Sequence, residues 1–101
     1  MSKEKKKTRE LFRTHVYERD GYKCRICKNT QSLDAHHITD RTLLPSGGYV
    51  AENGISLCLD CHFKAEVYHS TGTALENFHP NDLYNLINSS YKKAYEASLK
   101  L

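Results

Sequence analysis

The strongest constraint on this chain is a pair of cysteine knuckles, Cys24-Arg-Ile-Cys27 and Cys58-Leu-Asp-Cys61, within only 101 residues. A lone hydrophobic core of that size is marginal, so the chain calls for a staple. Four thiolates from two such pairs can fill the corners of a tetrahedron, the donor set of a closed structural zinc site with no position left for a substrate water. Thiol redox chemistry is a weaker reading because one such pair would suffice for it, and disulfides or free thiols are weaker readings too. Residues 28–57 put thirty positions between the knuckles, against about 15–20 in an ordinary zinc ribbon. Something further has been built into that interval.

Apolar residues make up 39% of the chain and charged ones 27%, the balance of a water-soluble globular domain, and no apolar run approaches a membrane span. Met1 to Lys7 is charged and is followed by no apolar stretch or small-residue cleavage site, so it does not read as a secretory signal. The expected location is intracellular, cytoplasmic or nucleoid-associated, where thiols stay reduced. The net charge of +3 is unevenly spread: residues 1–28 hold ten Lys/Arg against four Asp/Glu, and residues 29–101 hold five against eight. A basic arm of that kind, with Lys5, Lys6, Lys7, Arg9 and Arg13 in it, suits a polyanion such as nucleic acid, and the alternative is a solvated tail.

Leu11, Phe12, Val16 and Tyr17 recur at helical spacing, which predicts a helix from Thr8 to about Asp20, closed by the turn signal Asp20-Gly21. Residues 1–7 are expected as a basic flexible tip and 8–101 as one domain, with its catalytic core at about 24–69. Leu33–Ile38 and Ile55–Leu57 are candidate antiparallel strands; residues 39–52, with Pro45 and Gly47-Gly48, read as loop. A short helix is expected from Cys61 to about Tyr68 with Asp60 as its N-cap. Pro80 opens a final helix in which Leu83, Leu86, Ile87, Tyr91, Ala94 and Tyr95 would form one apolar stripe. The fold class is therefore small α+β, a knuckle pair flanked by an N-terminal and a C-terminal helix.

Within the long interval lies Asp34-Ala-His36-His37-Ile38; Asn53 follows, and His62 comes directly after the second knuckle. His15 and His79 read as ordinary surface or core residues. His36, His37 and His62 differ, because Cys27 and Cys61 tether their segments to one zinc. With Arg-x-x-Val-Tyr-Glu-Arg-Asp-Gly-Tyr-x-Cys-x-x-Cys (Arg13 to Cys27), Asp-Ala-His-His-Ile, Glu-Asn-Gly-Ile-Ser-Leu-Cys and Cys-His-x-Lys, residues 9 to 69 resemble the HNH nucleases of the ββα-metal fold. The resemblance implies that His36 is a catalytic metal ligand, His37 the general base, Asn53 the residue that orients that base by hydrogen bonding, and His62 a further ligand. It also implies hydrolysis of DNA to 5'-phosphate and 3'-hydroxyl ends. The family often has proline shortly after the histidine pair, where this chain has Thr39-Asp40-Arg41.

The chemistry suits the residues. A histidine is close to half-deprotonated at neutral pH and can take a proton from an attacking water, and one divalent ion (Mg2+, Mn2+, Ni2+ or Zn2+) on neutral imidazoles stabilises the leaving oxygen. Glu66, four residues after His62, lies on the same helical face and is a candidate third ligand, directly or through water; His69 is a weaker one. Asp34 stays outside the core site, as a group to orient His36 or bind an arginine. Arg41 and Lys64 are candidate phosphate contacts, with plain solvated surface as the alternative. Consecutive strand residues point to opposite faces, so the strand should end or bulge at His36-His37. The expected activity is that of a metal-dependent endonuclease with DNA as partner and no membrane. The rival readings are a noncatalytic zinc-stabilised nucleic-acid-binding module and a protein-interaction zinc module.

Overall fold

The computed structural model describes residues 3–101. Its first helix, α1 (Lys3–Arg19), buries Phe12 and Val16, one turn apart, and surrounds them with charged residues. Lys3–Lys7, expected to precede the helix, form its N-terminal end: the run holds no proline or glycine, and lysine and glutamate are good helix formers. Gly21 and Tyr22, at φ 69° and 58°, end the helix where the Asp20-Gly21 signal places its stop.

Two four-residue strands follow, β1 (Asp34–His37) and β2 (Gly54–Leu57), paired antiparallel with Asp34 opposite Leu57 and His37 opposite Gly54. The register is regular through His36 and the strand ends at His37, so of the two expected solutions the chain takes the ending. Alternation then sorts the side chains. Ala35 and His37 pack toward Phe12 of α1. Asp34 and His36 point to the other face, toward the second helix, α2 (Leu59–Thr71). The hairpin therefore lies between two helices. At Gly54 a Cβ would stand 2.4 Å from Val16 Cγ2 and 2.7 Å from Phe12 Cε1. Only glycine lets α1 approach β2 this closely.

Helix α2 is longer than expected at both ends. Cys58 occupies its N-cap position, Asp60 sits in the first turn and does not cap it, and Gly72, at φ 78°, closes it. Between the strands, three 3₁₀ turns (Arg41–Leu43, Pro45–Gly48 and Ala51–Asn53) carry the interval expected to be loop. The single C-terminal helix expected from Pro80 is two helices, α3 (Pro80–Leu86) and α4 (Tyr91–Ser98). Asn88 takes a left-handed φ of 54°, and Ser90 Oγ accepts from Lys93 N at 3.1 Å to start the second helix. The break changes the phase. Leu83, Tyr84, Ala94 and Ser98 are buried, whereas Leu86, Tyr91 and Tyr95 of the expected stripe are exposed.

The main core joins Ile38, Ile55, Leu57, Ala65, Phe78, Leu83 and Tyr84 to the three buried cysteines. Asp20 binds the layers together through charge. Its buried carboxylate accepts from Arg19 Nε (2.8 Å), Arg25 Nη1 (3.3 Å) and the backbone N–H of Ser56 in β2 (2.8 Å). Arg19 also donates to the carbonyls of Ala51 and Gly54, and Arg25 to that of Leu86 at the end of α3. Two cations of the basic arm are thus engaged in holding the fold. Removing one partner of a buried ion pair costs about 3–5 kcal/mol. Asp20→Ala should therefore lower stability in urea unfolding by about 3 kcal/mol, while Lys92→Ala, whose exposed pair with Glu96 spans 4.0 Å, should leave the midpoint in place.

Candidate metal centres and catalytic cleft

The first knuckle follows α1, and the second joins β2 to α2. Cys24 N donates to Asn29 O at 2.8 Å and closes the first knuckle on itself, and Arg25 N donates to Ser56 O at 2.9 Å and ties it to β2. One sulfur from each of Cys24, Cys27, Cys58 and Cys61 lies within 4.8 Å of the others, and none is in a disulfide. Burial raises the Cys24 thiol, but hydrogen bonds from the backbone of Cys27, Cys58 and Ile26 outweigh it and bring it down to about 7. Burial and the neighbouring sulfurs push the Cys61 thiol up, so the negative charge of the cluster settles first on Cys24 and a cation among the four sulfurs is what would let the others ionise. The four cysteines are positioned to hold a metal ion and are compatible with zinc.

A second convergence lies at the far end of β1. A nitrogen of His36, a nitrogen of His62 and a carboxylate oxygen of Glu66 fall within 4.8 Å of one another. His36 Nδ1 is 3.2 Å from Glu66 Oε1, and His62 Nε2 is 3.1 Å from the same oxygen. Helical spacing explains the pair on α2, since positions four apart share a face. His36 Nε2 is buried without a hydrogen-bond partner, and Nδ1 has the Glu66 oxygen beside it at 3.2 Å without the alignment of a hydrogen bond. An unsatisfied buried imidazole is costly, and a metal ion on its lone pair relieves the cost. Burial lowers the His36 pKa and keeps the ring neutral. The adjacent His36 pulls Glu66 down to about 2, so its carboxylate is ionised. These donors fit a divalent ion.

Asp34, set aside at the sequence level, places Oδ2 3.3 Å from His62 Nδ1, on the opposite edge of that ring from Glu66. A carboxylate behind an imidazole fixes its orientation. His69 approaches the group without joining it: its ring centroid is 5.2 Å from that of His36, and its Nε2 is 3.2 Å from the carbonyl of His37.

His37 projects to the other face of the strand. Its ring stacks on Phe12 at 4.6 Å and 25° and meets the edge of Tyr49 at 4.7 Å and 88°. Burial holds its pKa at about 4, so the ring is neutral at physiological pH. Because β1 is an edge strand, a single cleft of about 430 Å³ wraps that edge and is lined by both histidines, by Arg13 and Tyr49 on one side and by His62 and Glu66 on the other. The edge strand resolves the problem of adjacent residues facing apart.

Asn53 does not touch the His37 ring. Its Oδ1 accepts from Thr39 N at 2.9 Å and from the Tyr84 hydroxyl at 2.8 Å, and its Nδ2 donates to Thr39 O and Gly48 O. The reason is burial: Asn53 is fully enclosed, so its amide must spend its bonds on backbone and on Tyr84. It holds the segment just after His37 through Thr39, in place of the expected bond to the His37 ring. Phe12, Tyr49 and Tyr84 went unread as site residues, though Phe12 carries a signal in its helical pairing with Val16. Lys64 also departs from expectation, lying over the Phe78 ring at 5.9 Å outside the residues that line the cleft, because two positions on from His62 is the opposite side of a helix. Arg13 and Arg41 do line it, and Lys6 and Lys7 are exposed on α1 away from it.

A hairpin that delivers paired histidines, followed through a cysteine knuckle by a helix bearing His62 and Glu66, is a ββα arrangement with two donor clusters positioned to hold metal ions. Residues 24–66 match the model of the HNH endonuclease family, in line with the resemblance read from the sequence. The family points to nuclease-like activity and a nucleic-acid partner. No curated protein and no solved structure matches the chain. Phe12, Arg13 and Tyr84 lie outside the matched segment, so residues beyond it complete the cleft and brace its base. Among the described residues, no helix is long and apolar enough to cross a membrane.

The cysteine cluster and the histidine cluster should respond differently to removal. If the cysteine cluster holds zinc as its donors suit, elemental analysis should find one tightly held zinc per chain after dialysis, and Cys58→Ser should unfold the domain at 37 °C, as loss of circular dichroism, because the binding energy of a structural metal site is folding energy. A folded preparation without zinc would refute this.

Proposed function

We propose that the protein is a metal-dependent HNH endonuclease that hydrolyses DNA phosphodiester bonds and leaves 5'-phosphate and 3'-hydroxyl ends, with structural zinc on Cys24, Cys27, Cys58 and Cys61. The observation that carries this reading is the division at the end of β1: one histidine beside two further donors, and its neighbour packed apart from them with a buried, unpartnered Nε2.

His36, His62 and Glu66 would hold one divalent ion and leave positions open for phosphate and water. Bound there, the ion would supply charge stabilisation to the leaving oxygen. His37 acts as the general base. It is unprotonated at neutral pH because burial opposes its charged form, and the Phe12 and Tyr49 rings hold its plane while Asn53 holds the backbone that follows. Arg13 and Arg41 bind phosphate oxygens. The cleft's side chains otherwise sum to a deficit, Asp34, Asp40 and Glu66 against Arg13 and Arg41. A phosphodiester therefore enters readily only when a cation is present.

Two variants separate base from ligand. His37→Ala should lose about a hundredfold or more in the rate of nicking supercoiled plasmid while metal affinity is unchanged. His62→Ala should weaken metal binding and recover partly as the ion is raised. If His37→Ala cuts at the wild-type rate from pH 6 to 9, the noncatalytic zinc module replaces this reading.

The sign of the acid dependence follows from the lowered His37 pKa. The proton-accepting form is full above it and is lost only as pH falls through about 4. Single-turnover cleavage at saturating metal should therefore lose no base between pH 8 and 6. Two imidazoles and one carboxylate also favour nickel over manganese over magnesium in affinity, a ranking that calorimetric titration checks.

A further inference from the structure

A second depression adjoins the catalytic cleft. It has a volume of about 630 Å³ and lies between the N-terminal half of α1 and the first two 3₁₀ turns, with Arg41 and Tyr49 lining both depressions. Tyr49 organises its cations. Arg41 Nη1 donates to the Tyr49 hydroxyl at 3.1 Å, and the Arg9 guanidinium carbon lies 5.4 Å from the centre of the same ring. Two guanidinium groups are thereby anchored on one aromatic ring and facing one groove, with Lys5 beside them and Glu4 as the opposing carboxylate. Counting side chains, the balance is three cations to one anion here and two to three in the catalytic cleft, with Arg41 shared by both and Leu101 also lining the groove.

We propose that this groove is a second phosphate subsite, which takes backbone phosphates flanking the bond to be cut, with Arg9 and Arg41 as its two clamps. It supplies affinity that the net-negative cleft lacks, and it gives the complex a direction: the bound strand runs toward the N-terminal end of α1. On the opposite side α2 offers Asp60 and Glu66, while Lys64 is drawn over Phe78. A nucleic-acid strand repeats its charge about every 3.4 Å of rise, so a groove continuous with the cleft meets neighbouring phosphates without any bend. Guanidinium groups held in place lose less freedom on gripping phosphate than mobile lysines do. The proposal rests on the endonuclease reading for its substrate class alone.

The test is the salt dependence of binding to a short duplex DNA, followed by fluorescence anisotropy with no added divalent ion, so that no cutting occurs. Each lost phosphate contact on duplex DNA flattens the slope of log affinity against log salt by about 0.9. The double variant Arg9→Gln/Arg41→Gln should therefore flatten it by about 1.8, and the affinity change between 50 and 200 mM salt should shrink about tenfold. Lys64→Gln should keep the wild-type slope. Should the double variant fail to fold, Arg9→Gln alone should flatten the slope by about 0.9, and Arg9→Lys should restore most of it. A wild-type slope in either arginine variant overturns the subsite. Plasmid cleavage with manganese separates this result from the endonuclease reading. A protein that cuts but has an arginine-insensitive slope loses only the subsite, and one that never cuts but has an arginine-dependent slope loses only the nuclease.

Discussion

Eight residues of β-structure cannot hold themselves together in water, and everything in this fold serves to keep two short strands in register. The pairing is secured at both ends and in the middle. Near Leu57, the cysteine cluster draws the knuckle before β1 onto the knuckle after β2. Near His37, Asn53 bonds both the N–H and the carbonyl of Thr39 across the gap. Between them, Asp20 reaches the backbone of Ser56 while its arginine partners grip Gly54 and Leu86. A one-residue slip in this pairing would carry His36 to the face of His37 and dissolve the site.

The C-terminal helices belong to the same scheme although they contribute nothing to the cleft. Tyr84 of α3 donates its hydroxyl hydrogen to Asn53 Oδ1 at 2.8 Å, and its oxygen accepts from Thr39 Oγ1 at 2.6 Å. The segment just past His37 is thus braced from 31 residues downstream of Asn53. Buried networks of this kind are stiff when every partner is satisfied, and here the side chain of Asn53 is.

What could be read from the sequence was whatever local spacing encodes. The cysteine pairs, the two strands and the pairing of His62 with Glu66 depend on separations of two to four residues, and the structure has all of them, with the first strand one residue shorter at each end (Asp34–His37) and the second one longer at its start (Gly54–Leu57). Asn53 shows where such reading stops. Its place in the site followed from resemblance, but its partners Thr39 and Tyr84 lie 14 and 31 residues away, and no local pattern names them. Arg19 and Arg25 looked like members of a basic arm because a charge count cannot see a buried Asp20 between them. The divided C-terminal helix was more accessible, since Asn88-Ser89-Ser90 is a poor helix interior and a good cap, yet the continuous apolar spacing across it concealed the break.

Placing two neighbouring histidines on opposite faces of an edge strand has an evolutionary consequence. The donors around His36 draw on α2, and the packing around His37 draws on α1 and Tyr49, so the two functions share a backbone but no side-chain neighbour except His69. Selection can then act on each half alone. On the proposed reading, a lineage that exchanged only His37 would keep the donor cluster around His36 and the charged groove, and so would pass from cutting a polyanion to holding one without crossing an unfolded intermediate.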